Sequence, residues 1–203
     1  VCDWSSDVCS SDLICQNMNR GSYTGEANIY AHEEVISLLT DMAEKLLDKQ
    51  ETRFIGNKLH FITVKDKEKR MILNRRITFF DIHSKKAKQF GFCIELDHGE
   101  KLTCCGDEPY HESERQYVEN SKWLLHEAFC LYCQADIFSP YQKHHSTVKD
   151  ACELANKMNV KNLLLYHTED KNIKNRKELY TAEGKQYYQG NLYIPDDLEE
   201  IEL

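Results

Sequence analysis

The chain has 203 residues, 41% of them hydrophobic, with three prolines and a formal net charge of −8. That size and apolar content suit a globular domain with a sizeable core, and no apolar run approaches the length that spans a bilayer. Three of the negative charges are Asp3, Asp7 and Asp12, leaving −5 for the rest, an acidity that argues against a general nucleic-acid coat.

Residues 3–13, DWSSDVCSSDL, look like a translated sequencing-adapter oligonucleotide rather than protein, and they lack the charged, apolar and small-residue zones of a secretory signal. They are set aside as a non-native segment, 1–13. The expectation is that native sequence starts at or near Ile14, with 14–203 forming one partial domain whose N-terminal part is missing. Amplifying genomic DNA across this junction tests the expectation: an amplicon that encodes residues 3–13 contiguously with the remainder overturns it.

Ile29 and Tyr30 suggest a short strand. From His32 to Lys49 the apolar positions Val35, Leu38, Leu39, Met42, Leu46 and Leu47 recur at helical spacing. Leu59 to Val64 alternates as a half-buried strand does, Met71 to Leu73 and Arg76 to Ile82 give two more strands, and Phe90 to Leu96 with Lys101 to Cys105 forms a hairpin around Asp97, His98 and Gly99. A polar helix near Glu112 to Asn120 and a strand at Trp123 to Leu125 follow. Ser146 and Thr147 can then cap a helix carrying Val148, Ala151, Cys152, Ala155 and Met158 on one face, ahead of a continuously apolar strand, Leu163 to Leu165. The tail adds a Tyr-rich helix, Arg176 to Tyr188, and strands at Leu192 to Ile194 and Leu198 to Ile201. A meander followed by alternating helices and strands is an α/β pattern with a mixed sheet.

Nine cysteines do not form an obvious disulfide framework. Cys2 and Cys9 lie in the suspect segment, Cys104, Cys105 and Cys152 sit in apolar settings, and the single CxxC, Cys130 to Cys133, has no second pair to complete a zinc site. The usage fits a reducing compartment, with the cytoplasm as the default. Two basic clusters, Lys85 with Lys86 and Lys88, and Lys171 with Lys174, Arg176 and Lys177, read either as guides for an anionic substrate or as solvated faces.

Three expected strands end in a metal-competent residue: His83 after ITFFDI, Asp107 after LTCCG and His167 after LLLY. A lone histidine there is commonly structural, and Asp after Gly is commonly a turn. If the strands are neighbours their ends share one edge, where two imidazoles and a carboxylate suit zinc or a related divalent ion. His145, just before a helix N-terminus, is placed where anions are favoured.

These segments resemble the metallo-β-lactamase superfamily, and within it the ribonuclease Z branch. FFDIHSKKAKQFGF is similar to the third metal motif, LTCCGDEPY to the fourth and LLLYHTED to the fifth, while LLHEAF is similar to the branch's HEAT loop and HHST to its HST loop. The resemblance covers roughly 28–170. It implies an α/β fold, the αββα sandwich with mixed sheets, and two divalent metal ions, zinc, with His83, Asp107 and His167 as ligands and Asp107 bridging. It also implies that His145 assists the leaving group and that Glu127 orients it or the substrate, with a buried structural carboxylate as the competing reading. His126, Ser146 and Thr147 become substrate-binding positions, although His126 can equally pack beneath the HST loop.

The implied function is metal-dependent hydrolysis of a phosphodiester, with RNA or another phosphodiester as partner, no membrane, and a homodimer as a possible assembly. Two features depart from the pattern. The superfamily's HxHxDH signature is absent, so the chain as written is expected to be inactive. Residues 84–106 leave no room for a transfer-RNA-gripping arm, and the HEAT threonine is Phe129. The alternatives are another hydrolase of this fold acting on a thioester, a lactam or a small phosphodiester, or a non-catalytic binding module with a vestigial metal site.

Overall fold

The structure is a computed structural model that describes residues 13–85 and 88–202. Most of the adapter-like segment, with Cys2 and Cys9, and Lys86 of the first basic cluster therefore lie outside the described residues. The chain divides after Lys65 into two compact units.

The first unit is a βαβ arrangement. Strand β1 (Ala27–Ala31) pairs in parallel with β2 (Leu59–Thr63), and helix α1 (Glu33–Leu46) makes the connection that parallel strands require. His32 caps α1, its Nδ1 accepting from the Glu34 N–H, and Glu33 and Glu34 place negative charge at the positive end of the helix dipole. The expected apolar stripe is only partly covered: Leu39 and Ala43 are buried, whereas Leu46 is exposed among the described residues. Residues 13–19 are helical and supply Met18 to a small core with Phe54 and Leu59.

The second unit is a seven-stranded sheet in sequential order: β3 (Lys69–Ile72), β4 (Arg75–Asp81), β5 (Phe90–Glu95), β6 (Lys101–Cys104), β7 (Trp123–Glu127), β8 (Asn162–Tyr166) and β9 (Asn191–Tyr193). Strands β3 to β6 are antiparallel neighbours, and β6 to β9 are parallel. Tight turns suffice for the first half. The second half needs crossovers, which helices α2 (Val148–Lys157) and α3 (Arg176–Gly184) provide. The sheet is therefore mixed, as the meander-then-alternation pattern predicts.

The main core forms where α2 and α3 cover the parallel half. Leu124, Leu163 and Leu165 from the strands meet Val148, Ala151, Cys152, Ala155 and Met158 from α2 and its end, together with Tyr180 and Tyr188. Val148, Ala151 and Ala155 are spaced so that α2 turns one face inward, and Thr147 caps it with the reciprocal pairing to Asp150 that closes a capping box. Small side chains let helix and sheet approach: a Cβ on Gly184 would lie 2.4 Å from Leu192 Cδ2 and 3.0 Å from Cys152 Sγ.

Several local expectations shift. Strand β7 continues through His126 and Glu127 instead of stopping at Leu125. The polar helix splits into a 3-10 turn, Glu112–Glu114, and a single α turn, Arg115–Val118. Leu198 to Ile201 forms no strand: Leu198 turns through the left-handed region at φ 66° and is fully exposed, which breaks the extended backbone that a strand requires. Cys105, Cys130 and Cys152 are buried and not disulfide-bonded, and Cys104 is half-buried, consistent with their reading as small core residues. Two of the four cations of the second basic cluster pair with carboxylates: Lys177 with Glu199 at 2.7 Å and Arg176 with Asp196 at 3.6 Å. No helix among the described residues is long and apolar enough to cross a membrane.

Glu114 lies inside rather than outside, 1% exposed, with Oε1 accepting from the His111 N–H at 3.2 Å and Oε2 without a partner among the described residues. Burial pushes its carboxyl up to about 8, against the Cys105 thiol and the His111 N–H, which favour the ionised form, while Asp81 adds to the rise. A folded-state value above the unfolded 4.5 means that the folded chain keeps a proton the unfolded chain has lost. Stability is therefore fullest below about 4.5 and falls as pH rises toward 8. Glu114→Gln should flatten this dependence and raise Tm by several degrees above pH 8, leaving Tm near pH 4.5 almost unchanged. Thermal melts across that range check it; parallel curves for the two proteins would show that Glu114 is ionised in the fold.

Candidate active site

Because β4 and β6 are each antiparallel to β5, they run parallel to one another and to β7 and β8. Their C-terminal ends share one edge of the sheet, the side on which α/β folds place their chemistry. His83 follows β4, Asp107 follows β6, Glu127 ends β7 and His167 follows β8. The three residues expected to bind metal thus lie along a common edge, as their strand-end positions predict.

At three of these ends the backbone turns through the left-handed region: φ is 57° at His83, 71° at Gly106 and 54° at His167. Glycine takes that conformation freely, and a Cβ at Gly106 would come within 2.6 Å of Ile82 Cδ1. For the two histidines the conformation is unfavourable and is imposed by the surroundings, a pattern concentrated at functional sites. At His83 the cause is visible: its N–H donates to Asp81 Oδ1 at 2.8 Å, and the Asp81 N–H donates to Asp66 Oδ1 at 2.9 Å.

The best-defined part of the edge is built around Glu127. This carboxylate is fully buried, and its Oε1 accepts a close hydrogen bond from the Ser146 N–H. Its Oε2 lies 3.6 Å from His145 Nδ1, and neither atom has another partner among the described residues. Residues 128–130 are stitched alongside 146–148: the Phe129 N–H donates to the Ser146 carbonyl at 2.9 Å and the Val148 N–H to the Cys130 carbonyl at 3.0 Å. The Phe129 carbonyl accepts from the Glu169 N–H at 2.8 Å and from the Tyr180 hydroxyl at 3.1 Å, which ties in the segment after His167.

This frame brings His145 and His167 together, their ring centroids 4.9 Å apart. The Phe129 ring stacks on His145 at 5.1 Å, and Lys143 Nζ lies 5.2 Å from the other ring partner, Phe129 itself. Burial holds His167 below the usual imidazole value, with His145 acting in the same direction and Asp107 and Glu127 opposing. His167 is thereby kept in the neutral form, whose lone pair a metal requires.

The other residues named from sequence are distributed as follows. His83 turns toward His111, rings 4.6 Å apart, and both share Ser113 Oγ, at 3.0 Å from His83 Nε2 and 2.8 Å from His111 Nδ1. His126 is buried, Nδ1 2.7 Å from the Glu127 carbonyl oxygen. Ser146 contributes its N–H to Glu127, and the Thr147 hydroxyl is engaged by Asp150 at 2.6 Å. Sequence reasoning did not place Ser113 or His111 beside His83, nor Phe129 on His145. The HxS spacing at 111–113, on a turn that can fold both side chains to one side, was the available signal for the first pair.

The donor types at this edge fit a divalent metal in kind, two imidazoles and a carboxylate, and the depressed His167 is chemically ready. They do not fit in number. Among the described residues no three His, Cys, Asp or Glu side chains come close enough together to hold an ion.

Glu127→Ala should leave the Ser146 N–H buried without an acceptor and cost about 1–3 kcal/mol, whereas Glu127→Gln keeps an oxygen in place and costs less. Denaturant unfolding of both variants measures this; equal losses would show that the Ser146 contact contributes nothing.

A sequence profile of the beta-lactamase superfamily domain matches residues 12–168. Ribonuclease Z of Thermococcus onnurineus (strain NA1) is 31% identical over 101 residues, which are 50% of this chain and 30% of that protein. The chain thus spans less than a third of the length of the curated relative it matches. Among solved structures, the metallo-beta-lactamase fold protein YhfI from Bacillus subtilis superimposes with a TM-score of 0.70 at 18% identity, over 93% of this chain and 70% of that one. The short form of human tRNase Z superimposes with a TM-score of 0.59 at 15% identity, over 87% and 67%. The α/β architecture with its mixed sheet is the metallo-β-lactamase fold, and the chain belongs to the beta-lactamase superfamily.

Proposed function

We propose that this chain carries the C-terminal-edge chemistry of a metal-dependent phosphodiesterase of ribonuclease Z type, with RNA as substrate. The observation that carries the reading is the Glu127–His145 couple beside His167: a buried carboxylate aimed at one ring nitrogen of a histidine held by stacking. Hydrolysis of a phosphodiester forms a P–O bond to water and breaks the one to an alkoxide, a poor leaving group that needs a proton, and an imidazole oriented by a carboxylate supplies one. Glu127 fixes the orientation, and Phe129 limits its rotation. The 3.6 Å separation is long for a hydrogen bond, and such contacts commonly tighten when substrate is bound.

In this reading His83, Asp107 and His167 are the residues of this chain that would hold divalent ions, zinc being the ion their chemistry suits. The second reading, a non-catalytic module with a vestigial metal site, is favoured by one observation: no three donors gather among the described residues.

The test compares the chain alone with the chain joined behind an HxHxDH segment, measuring zinc stoichiometry and turnover of bis(p-nitrophenyl) phosphate and precursor transfer RNA. The expected outcome is little metal and little turnover for the first, and two zinc ions with phosphodiester hydrolysis for the second. His145→Ala in the active form should lower turnover by about 10²–10⁴-fold. Metal binding without hydrolysis of any ester would establish the second reading, and preference for a thioester or lactam would move the substrate class.

A further inference from the structure

Beside the Glu127–His145 couple, in the same unit of the chain, lies a cleft of about 350 Å³, within the size range of small-molecule sites. Pro109, Tyr110, His126, Tyr141, His145 and Asp150 are among its walls. Two aromatic rings and a proline offer flat apolar surfaces, which suit a planar ligand. The Tyr141 ring is about half exposed, at 54%, and its hydroxyl is occupied in donating to Asp150 Oδ2 at 3.0 Å, leaving the ring as what it presents.

His126 is the unusual member. It is 1% exposed, and its Nδ1 lies 2.7 Å from the Glu127 carbonyl oxygen, which can only accept. Nδ1 therefore carries the hydrogen, and in the neutral ring Nε2 is a bare acceptor. That nitrogen is buried and has no partner among the described residues. A buried acceptor without a donor is costly, and the cleft, which His126 lines, offers a donor an approach to this ring. The same lone pair repels a phosphate oxygen, which is itself an acceptor, and so does the carboxylate of Asp150, which also lines the cleft.

We propose that the cleft seats the nucleoside that flanks the reacting phosphate, and that His126 Nε2 selects it by accepting a hydrogen bond from a neutral O–H or N–H donor of that nucleoside. The inference rests on the phosphodiesterase reading for its choice of ligand. It makes His126 a specificity-determining residue, distinct from His145, which addresses the leaving oxygen. Within an RNA chain, where the 3′ and 5′ oxygens are esterified, two kinds of group supply such a donor: the ribose 2′-hydroxyl and a base N–H.

The experiment is calorimetric titration of the 203-residue chain with uridine 3′,5′-bisphosphate, whose neutral donors are the 2′-hydroxyl and N3–H alone, and with its 2′-O-methyl and N3-methyl analogues. Each analogue removes one donor and keeps the oxygen or ring. Losing the donor that His126 reads should weaken binding by about tenfold, and losing the other should not. His126→Phe should bind the parent and both analogues alike. Because that substitution is buried and can fail to fold, the ¹⁵N resonance of His126 Nε2 is followed in the unaltered chain. It should start at the unprotonated position and move upfield as the nucleotide is added.

Equal affinity for all three nucleotides, no binding of any, or an Nε2 that is protonated from the outset overturns the proposal. Failure of the phosphodiesterase reading is seen separately: the chain would discriminate among the nucleotides while the form carrying HxHxDH hydrolyses no phosphodiester.

Discussion

One buried carboxylate organises the edge of the sheet. Glu127 ends a strand whose neighbours are fully packed, so its charge has no water to turn to and must be met by the chain. It is met by the Ser146 N–H, which fixes the 144–147 loop over the end of β7. With that loop set, Thr147 can cap α2, His145 is presented to the edge, and Phe129 finds the ring on which it stacks. A carboxylate placed there is a poor device for stability alone, since an apolar residue of like volume would avoid the desolvation cost. What the position offers beyond packing is the second oxygen, 3.6 Å from His145 Nδ1.

The elements that sequence made legible are those whose signal is local. The β4 to β6 meander follows from alternation and a turn at Asp97 to Gly99, and α2 with β8 follows from a cap, a helical stripe and a continuous apolar run. The strand-end positions of His83, Asp107 and His167 were readable for the same reason. The polar residues that turn inward were not. His126 and Glu127 extend β7 because their partners lie on β8 and in the loop before α2, and Glu114 reads as part of a solvated helix until the Cys105 strand end is seen above it. Burial of a polar side chain is decided by a partner far along the chain, which spacing cannot reveal.

The apolar stripe of α1 shows the converse. Its spacing is correct for a helix, yet Leu46 is exposed among the described residues, so periodicity fixed the element without fixing what covers it. The residues expected to bind metal follow the same logic: each follows a strand on the same edge of the sheet, yet among the described residues no three His, Cys, Asp or Glu side chains gather to hold an ion.

The left-handed backbone at His83 and His167 has a consequence for how such a sheet edge can change over time. A side chain held there costs roughly 1–2 kcal/mol relative to an unstrained conformation, and glycine removes the cost. At both positions, then, substitution toward glycine is downhill in stability while erasing an imidazole. A lineage released from selection for the chemistry would be expected to lose these histidines early and grow more robust as it did so. Among the described residues nine other non-glycine positions share this backbone region, Leu73 and Asn74 among them, so the same trade between turn geometry and side chain recurs along the chain.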